Sequence, residues 1–295
     1  MTVRNVAPCL WLLMMVSCAT KAPPPVVVPP PVVEKPVEAN PAALLSFEGI
    51  EARRIDRLTL HFLLKAENPR STAAHVALQG WHYTVNGLES AGEAALIMDQ
   101  DAFEVPAFST ATVPLRLEWE LPVEPGSATD TDTYQVQLRV NPLFTFETGA
   151  TGDVWAEVQG GFPCIREPEL ILTAITVSKA ELINTRLKVS LRINNPNAFP
   201  VALSSLKYKL YGAGRFWAEG ENRHDLAVPA RGFAESQVLL TMNFIDMSRQ
   251  ILDEVIAMKQ VRYRFTGEAK VDTGIEYLPQ FRMSFDRSGN STVVE

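Results

Sequence analysis

Apolar and polar residues alternate strictly along most of this chain, and a period of two fits half-buried β-strands and little else. Leu58, Leu60, Phe62 and Leu64 interleave with Thr59, His61 and Lys65, while Leu187, Val189, Leu191 and Ile193 interleave with Arg186, Lys188, Ser190 and Arg192. The same alternation runs through Val113-Leu115-Leu117-Trp119, Tyr134-Val136-Leu138-Val140, Leu206-Tyr208-Leu210 and Val238-Leu240-Met242-Phe244. Residues i, i+2 and i+4 of a strand share a face, so each run offers one apolar face to a core and one polar face to water. The body beyond residue 43 is therefore expected to be all-β. A chain of 295 residues has material for two domains of ordinary size.

The strands also recur in order with the same punctuation. Glu67-Asn68-Pro69 corresponds to Asn194-Asn195-Pro196, His75-Val76-Ala77-Leu78 to Pro200-Val201-Ala202-Leu203, and Tyr83 with Gly87 to Tyr208 with Gly212. Ala91-Gly92-Glu93 then answers Glu219-Gly220-Glu221, and Val105-Pro106-Ala107 answers Val228-Pro229-Ala230, with every offset between 123 and 128. An ordered match of this kind reads as two copies of one domain. The first is expected over residues 44–160 and the second over 161–295, divided near a turn at Gly160-Gly161-Phe162-Pro163. In each copy a proline, Pro69 or Pro196, holds the preceding Asn68 or Asn195 extended and stops strand pairing. The Asn side chain can then satisfy backbone groups as the chain leaves the sheet. Ligand binding by Asn195 and Asn197 is the other reading of the same residues.

One stretch has a helical period. Asp246 can cap a segment in which Met247, Ile251, Val255 and Met258 recur at spacings of four, four and three up to Lys259, so a short helix is expected in the second copy. The first copy has a loop there instead, Pro122 to Thr133, containing Asp130-Thr131-Asp132.

The N-terminal end is an address. An apolar run from Val6 to Val16, behind Arg4 and broken by Pro8, is too short to span a bilayer, which takes about 20 residues, and has the pattern of an export signal. It ends in Met15-Val16-Ser17-Cys18, which resembles the bacterial lipobox, with Met and Val where Leu and a small residue are commonest. The resemblance implies that residues 1–17 are a lipoprotein signal peptide and that Cys18 is acylated by palmitate-class chains. Each buried methylene contributes about 0.8 kcal/mol, so such a Cys18 would tether the protein to a membrane. Ala19 in place of Asp resembles, for a Gram-negative host, the outer-membrane sorting pattern, periplasm-facing or at the surface. Conventional secretory cleavage near Ala19 is the alternative. Residues 18–43 then hold the lipidated cysteine and a linker, with eight prolines between positions 22 and 41. Proline fixes φ and lacks a donor, so this segment reads as a polyproline II spacer reaching about 60 Å. With Cys9 in the signal and Cys18 acylated, Cys164 stands alone, leaving no intramolecular disulfide; a buried inert thiol is the expected role.

Taken together, the strand punctuation resembles the water stress and hypersensitive response (WHy) domain of the late embryogenesis abundant type 2 proteins. The second copy carries it in Asn194-Asn195-Pro196-Asn197, Tyr208, Gly212, Ala218-Glu219-Gly220 and Val228-Pro229-Ala230. The first has Glu67-Asn68-Pro69-Arg70, in which Arg replaces the last Asn of the family's NPN. The resemblance spans roughly residues 44 to 285 and implies two tandem antiparallel β-sandwiches of fibronectin type III or immunoglobulin-like shape.

No constellation points to a reaction. His61, His75, His82 and His224 are scattered, and the chain has no HExxH motif, no cysteine pair and no Gly-x-Ser-x-Gly elbow. Asp130-Thr131-Asp132 lacks the Gly and closing Glu of an EF-hand. No catalytic residue, cofactor or metal is therefore expected. A net charge of −7 gives no cationic field for a phosphate backbone, which excludes nucleic acid as the expected partner. Trp81, Trp119, Trp155 and Trp217 are each either core or contact surface, with Trp119 expected in the core and Trp217 near a loop. The expected function is a non-enzymatic, membrane-anchored envelope lipoprotein whose β-sandwiches bind an envelope protein or assembly. The alternatives are stress protection during water loss, as the family resemblance implies, and an apolar-ligand or lipid-binding component.

Overall fold

The alternating runs form strands in the computed structural model, which describes residues 39–89, 93–121, 131–150, 154–179, 185–242 and 260–294. All of these lie in one compact unit, Glu38–Glu295. Its first half contains β1 (Ala42–Arg54), β2 (Arg57–Asn68), β3 (Ala74–Val85), β4 (Leu88–Glu89), β5 (Glu93–Met98), β6 (Ala102–Val105), β7 (Ser109–Glu120), β8 (Thr133–Phe146), β9 (Gly149–Ala150) and β10 (Ala156–Pro163). The second half contains β11 (Glu169–Lys179), β12 (Thr185–Asn194), β13 (Val201–Gly212), β14 (Arg215–Asn222), β15 (Leu226–Val228), β16 (Phe233–Met242), β17 (Gln260–Ile275) and β18 (Leu278–Val294). The described residues are all-β, and the helix expected over Asp246–Lys259 lies outside them, as do Cys18, the signal segment and most of the proline-rich linker.

One sheet has the order β1-β2-β7-β5 and a second the order β10-β8-β3-β4, with β6 on β3 and β9 on β8. In the second half the order is β14-β13-β17-β18-β11-β12-β16, with β15 on β13. Pairing is antiparallel except where Ile175 and Thr176 of β11 meet Val293 and Val294 of β18 in parallel, which joins two layers into one sheet. The pairings otherwise correspond: β1 with β2 and β11 with β12, β2 with β7 and β12 with β16, β3 with β8 and β13 with β17, β8 with β10 and β17 with β18.

Each half has its own principal core, built from the alternate residues that the pattern marks. Leu58, Leu60, Phe62 and Leu64 of β2 join Leu115, Leu117 and Trp119 of β7 and Val136, Leu138 and Val140 of β8 in one cluster. Leu187, Val189, Leu191 and Ile193 of β12 join Leu210, Phe265, Met283 and Phe285 in another. Fully burying one such side chain is worth about 1.5–3 kcal/mol, so these two faces dominate the stability of the fold.

Two local expectations are corrected. Gly160-Gly161-Phe162-Pro163 is strand, not turn, and pairs with β8 up to Pro163. Its glycines admit close neighbours: a Cβ would sit 2.8 Å from the Phe47 ring at Gly160 and 2.7 Å from Gln135 Nε2 at Gly161. Gly87 corresponds to Gly214 rather than Gly212, because the second hairpin is two residues longer. Asn86 and Gly87 (φ 51° and 79°) and Ala213 and Gly214 (φ 46° and 78°) occupy the two left-handed positions of type I′ turns. Trp217 lies near a loop as expected, just past the Ala213-Gly214 turn, and is buried there because its ring lies across Gly212, where a Cβ would meet it at 2.0 Å.

The halves differ in one strand. In the second, β14 stays beside β13 through Leu206↔Asn222. In the first, β4 pairs with β3 only at Thr84 and Val85, and the chain then crosses to the other sheet, where β5 pairs with β7 from Glu93↔Glu120 to Met98↔Leu115.

Candidate functional site

The residues that the sequence marks most strongly form two asparagine clamps. Asn68 ends β2, and its buried amide donates to the carbonyls of Thr72 (2.8 Å), Pro106 (3.0 Å) and Val105 (3.1 Å). Its Oδ1 accepts the backbone N–H of Arg70 at 3.0 Å. One side chain thus ties the end of β2 to the start of β3 and to the turn between β6 and β7, while Pro69 ends strand pairing. Asn195 repeats the arrangement, donating to Phe199 O (2.8 Å), Pro229 O (3.0 Å) and Val228 O (3.4 Å). Each clamp closes on a left-handed residue: Phe108 (φ 51°) donates its N–H to Arg70 O, and Arg231 (φ 52°) donates its N–H to Asn197 O.

The third motif position differs between halves for a visible reason. Asn197 is buried and pairs its amide with one backbone unit, accepting Arg166 N (2.7 Å) and donating to Arg166 O (2.9 Å), three residues before β11. It also donates to Asn195 Oδ1 at 2.9 Å, and its N–H reaches the same oxygen at 3.0 Å. Arg70 holds the matching place, and its Nε donates to Ala39 O at 3.4 Å, three residues before β1, while its guanidinium sits 4.3 Å from the Phe146 ring centre. The third position therefore grips the segment entering the first strand of each half. Both Nδ2 protons of Asn195 and both of Asn197 are used inside the chain, and both lone pairs of Asn195 Oδ1 are occupied. That arrangement leaves no donor on these side chains for a ligand.

Between β10 and β11 the segment 164–168 is held from both halves. Cys164 is buried, its N–H donating to Asp132 O (2.9 Å). The Tyr277 hydroxyl donates to Pro163 O, and the Tyr277 ring packs against Phe162 at 5.9 Å. Burial, followed by the hydrogen bond with the Cys164 thiol, pushes the Tyr134 phenol up, and burial does the same to Tyr277. Asp132, in the loop expected over Pro122 to Thr133, pairs with Arg231, and Arg166 donates to Thr131 O at 2.8 Å. No local pattern marks these contacts, because their partners lie far apart along the chain, Arg166 and Thr131 by 35 residues and Tyr277 and Pro163 by 114.

The four histidines stay apart. His61 lies 3.8 Å from Glu51 and His82 lies 3.4 Å from Glu89. His75 stands opposite Glu104, and the backbone N–H of His224 donates to Asn222 Oδ1 at 3.0 Å. Among the described residues no three His, Cys, Asp or Glu side chains gather as a metal site, and no helix is long and apolar enough to cross a membrane. Of the tryptophans, Trp119 and Trp217 are buried, whereas Trp81 is 37% exposed and Trp155 47% exposed. Trp81 stacks near Tyr83 on β3, and the Arg139 guanidinium of β8 lies 5.1 Å from the Trp155 ring centre. Arg139 is also cross-strand to His82 and paired with Glu157 at 3.1 Å.

Residues 190–284 match the family model described as late embryogenesis abundant protein, LEA_2. No curated protein matches the chain. Among solved structures, similarity extends to a protein from Archaeoglobus fulgidus (12% identity, 43% of this chain and 95% of that one, TM-score 0.28). It extends also to red sea bream transglutaminase (12% identity, 85% and 31%, TM-score 0.23) and to the Pseudomonas aeruginosa CupB2 chaperone (12% identity, 81% and 98%, TM-score 0.21). TM-scores and identities this low carry no functional information.

Proposed function

We propose that this chain is a non-catalytic envelope lipoprotein, anchored through Cys18 and held off the membrane by its proline-rich linker, whose two tandem WHy-like β-sandwiches bind another envelope protein. The observation that carries the binding role is the pair of exposed tryptophans around β3, β8 and β10. Exposed tryptophan beside arginine is the composition of interface anchors, and Trp155 with Arg139 supplies both. The asparagine clamps support the non-catalytic reading, since their polar groups are used to hold backbone. The match of residues 190–284 to the late embryogenesis abundant model favours a second reading, protection during water loss, by analogy of fold alone.

The test is metabolic labelling of the full-length chain with an alkyne palmitate, followed by photo-crosslinking from position 155 or 81. Label that vanishes in Cys18→Ser, and one stoichiometric adduct weakened by Trp155→Ala, are expected. Absence of label on the wild-type chain overturns the anchor. A labelled chain without an adduct at either position overturns the binding role, and impaired survival of drying in a deletion strain would then favour the protective reading.

A further inference from the structure

The strand that ends the long sheet of the second half is built differently from every other sheet edge. Among the described residues, β16 pairs with β12 along its whole length and has no hydrogen-bonded strand on its other side, although β14 and β15 come near it. Unpaired strand edges template association, and proteins blunt them with short length, bulges, proline or charge. Such devices are present elsewhere. β1 is broken by register shifts at Phe47/Gly49 and Ala52/Arg54, β4 has 2 residues, β5 has 6, and β10 ends in Pro163. β14 faces an irregularity at Leu210/Tyr211 and carries Arg215, Glu219 and Glu221. By contrast β16, Phe-Ala-Glu-Ser-Gln-Val-Leu-Leu-Thr-Met, runs 10 residues in unbroken register, without proline or lysine. Its one charge, Glu235, is engaged by Arg192 at 2.8 Å.

Two further observations indicate what fits there. The corresponding edge in the first half, β7, is already covered by an antiparallel strand, β5, so this position in the fold accepts one. The ladder of β16 also sets which groups are free: Asn195 N–H donates to Gly232 O, so the even-numbered residues from 234 to 240 face β12. The amides and carbonyls of Phe233, Glu235, Gln237, Leu239 and Thr241 therefore point to the open edge. On the outer face, Leu239 is 73% exposed.

We propose that β16 pairs antiparallel with β16 of a second copy of this chain, across a two-fold axis near Gln237 and Leu239. Symmetry makes the edge self-complementary. With the axis at Leu239, the two exposed leucines cover one another and Gln237 meets Thr241; with the axis at Gln237, Glu235 meets Leu239. Neither register sets Glu235 opposite its own copy, so the like-charge pairing that a sheet resists is avoided. The pairing draws neither on acylation nor on a separate envelope partner, so its failure leaves the lipoprotein reading to its own label.

The test is the mass of the full-length protein in detergent by light scattering over a concentration series, with hydrogen exchange of the β16 amides. A dimer is expected, with the Gln237 and Leu239 amides protected as concentration rises. Gln237→Pro removes an outward donor without touching the β12 ladder and should weaken dimerisation by about tenfold or more in either register. Leu239→Lys retains the donor and tells the registers apart: it weakens the dimer where position 239 meets its own copy, and leaves it intact or tighter where position 239 meets Glu235. A monomer with fast exchange at both amides overturns the proposal. So does a monomer with slow exchange there, which would mean that another segment of the same chain covers the edge. A dimer unaffected by a folded Gln237→Pro variant, or a crosslink from β16 only to a different protein, overturns it as well.

Discussion

Replacing Asn195 by Ala removes a buried amide that serves five groups. The carbonyls of Phe199, Val228 and Pro229 lose their donor, and the N–H and Nδ2 of Asn197 lose their acceptor. Each net hydrogen bond is worth about 1 kcal/mol and each buried donor left unsatisfied costs about 1–3 kcal/mol, so a loss of about 3–5 kcal/mol is expected. Asn68→Ala makes a contrast within the same molecule. It removes the same kind of carbonyl contacts, but its Oδ1 serves only the N–H of half-buried Arg70, which water can reach, so about 2–3 kcal/mol is expected. Asn195→Asp, nearly the same shape, should cost more than Ala, because it turns carboxylate oxygen toward three carbonyls. The assay is urea unfolding of the Cys18→Ser chain, followed by tryptophan fluorescence and circular dichroism together, since the halves have separate principal cores. An Asn195→Ala variant within about 0.5 kcal/mol of the parent, or one less damaged than Asn68→Ala, would refute the clamp argument.

The same unfolding assay checks three other expectations. Gly212→Ala drives a methyl into the Trp217 ring, 2.0 Å away, and should cost at least about 2 kcal/mol, while Trp217→Ala in that background should recover part of the strain but open a cavity. Ala213→Gly relieves a non-glycine residue at φ 46° and should stabilise by up to about 1 kcal/mol; destabilisation there would count against the type I′ turn. Tyr134 and Tyr277 have phenols raised above their ordinary value, so the folded chain keeps protons that the unfolded chain releases. Their contribution is complete below the ordinary phenol pKa near 10 and declines as pH rises past it, so the unfolding midpoint should fall above about pH 10. Tyr134→Phe should flatten that decline, and an unchanged slope would show that the phenol does not couple to folding.

Much of the architecture is local chemistry and is legible in one dimension. A period of two assigns Leu58, Leu60, Phe62 and Leu64 to one face whatever else surrounds them, and all four are buried. Proline acts on the residue before it, so Asn68-Pro69 and Asn195-Pro196 announce the exits of β2 and β12. The ordered recurrence of these marks anticipates the corresponding pairings of the two halves.

Other features depend on partners distant along the chain. Ala91-Gly92-Glu93 and Glu219-Gly220-Glu221 look alike, yet β5 follows one to β7 while the other lies within β14 on β13. Backbone hydrogen bonding is indifferent to which strand supplies it, so side-chain packing chooses, and in the second half Trp217 lies across Gly212 on β13. Pattern alone could not place Trp217 in the core, since an aromatic beside a hairpin fits either solvent or a neighbour that leaves room for it. The junction at Cys164, the role of Asn197 in gripping Arg166, and the open edge of β16 arise for the same reason. The periodic pattern tells which way a side chain faces; which strand, if any, lies beside it is settled only when the layers close on their cores.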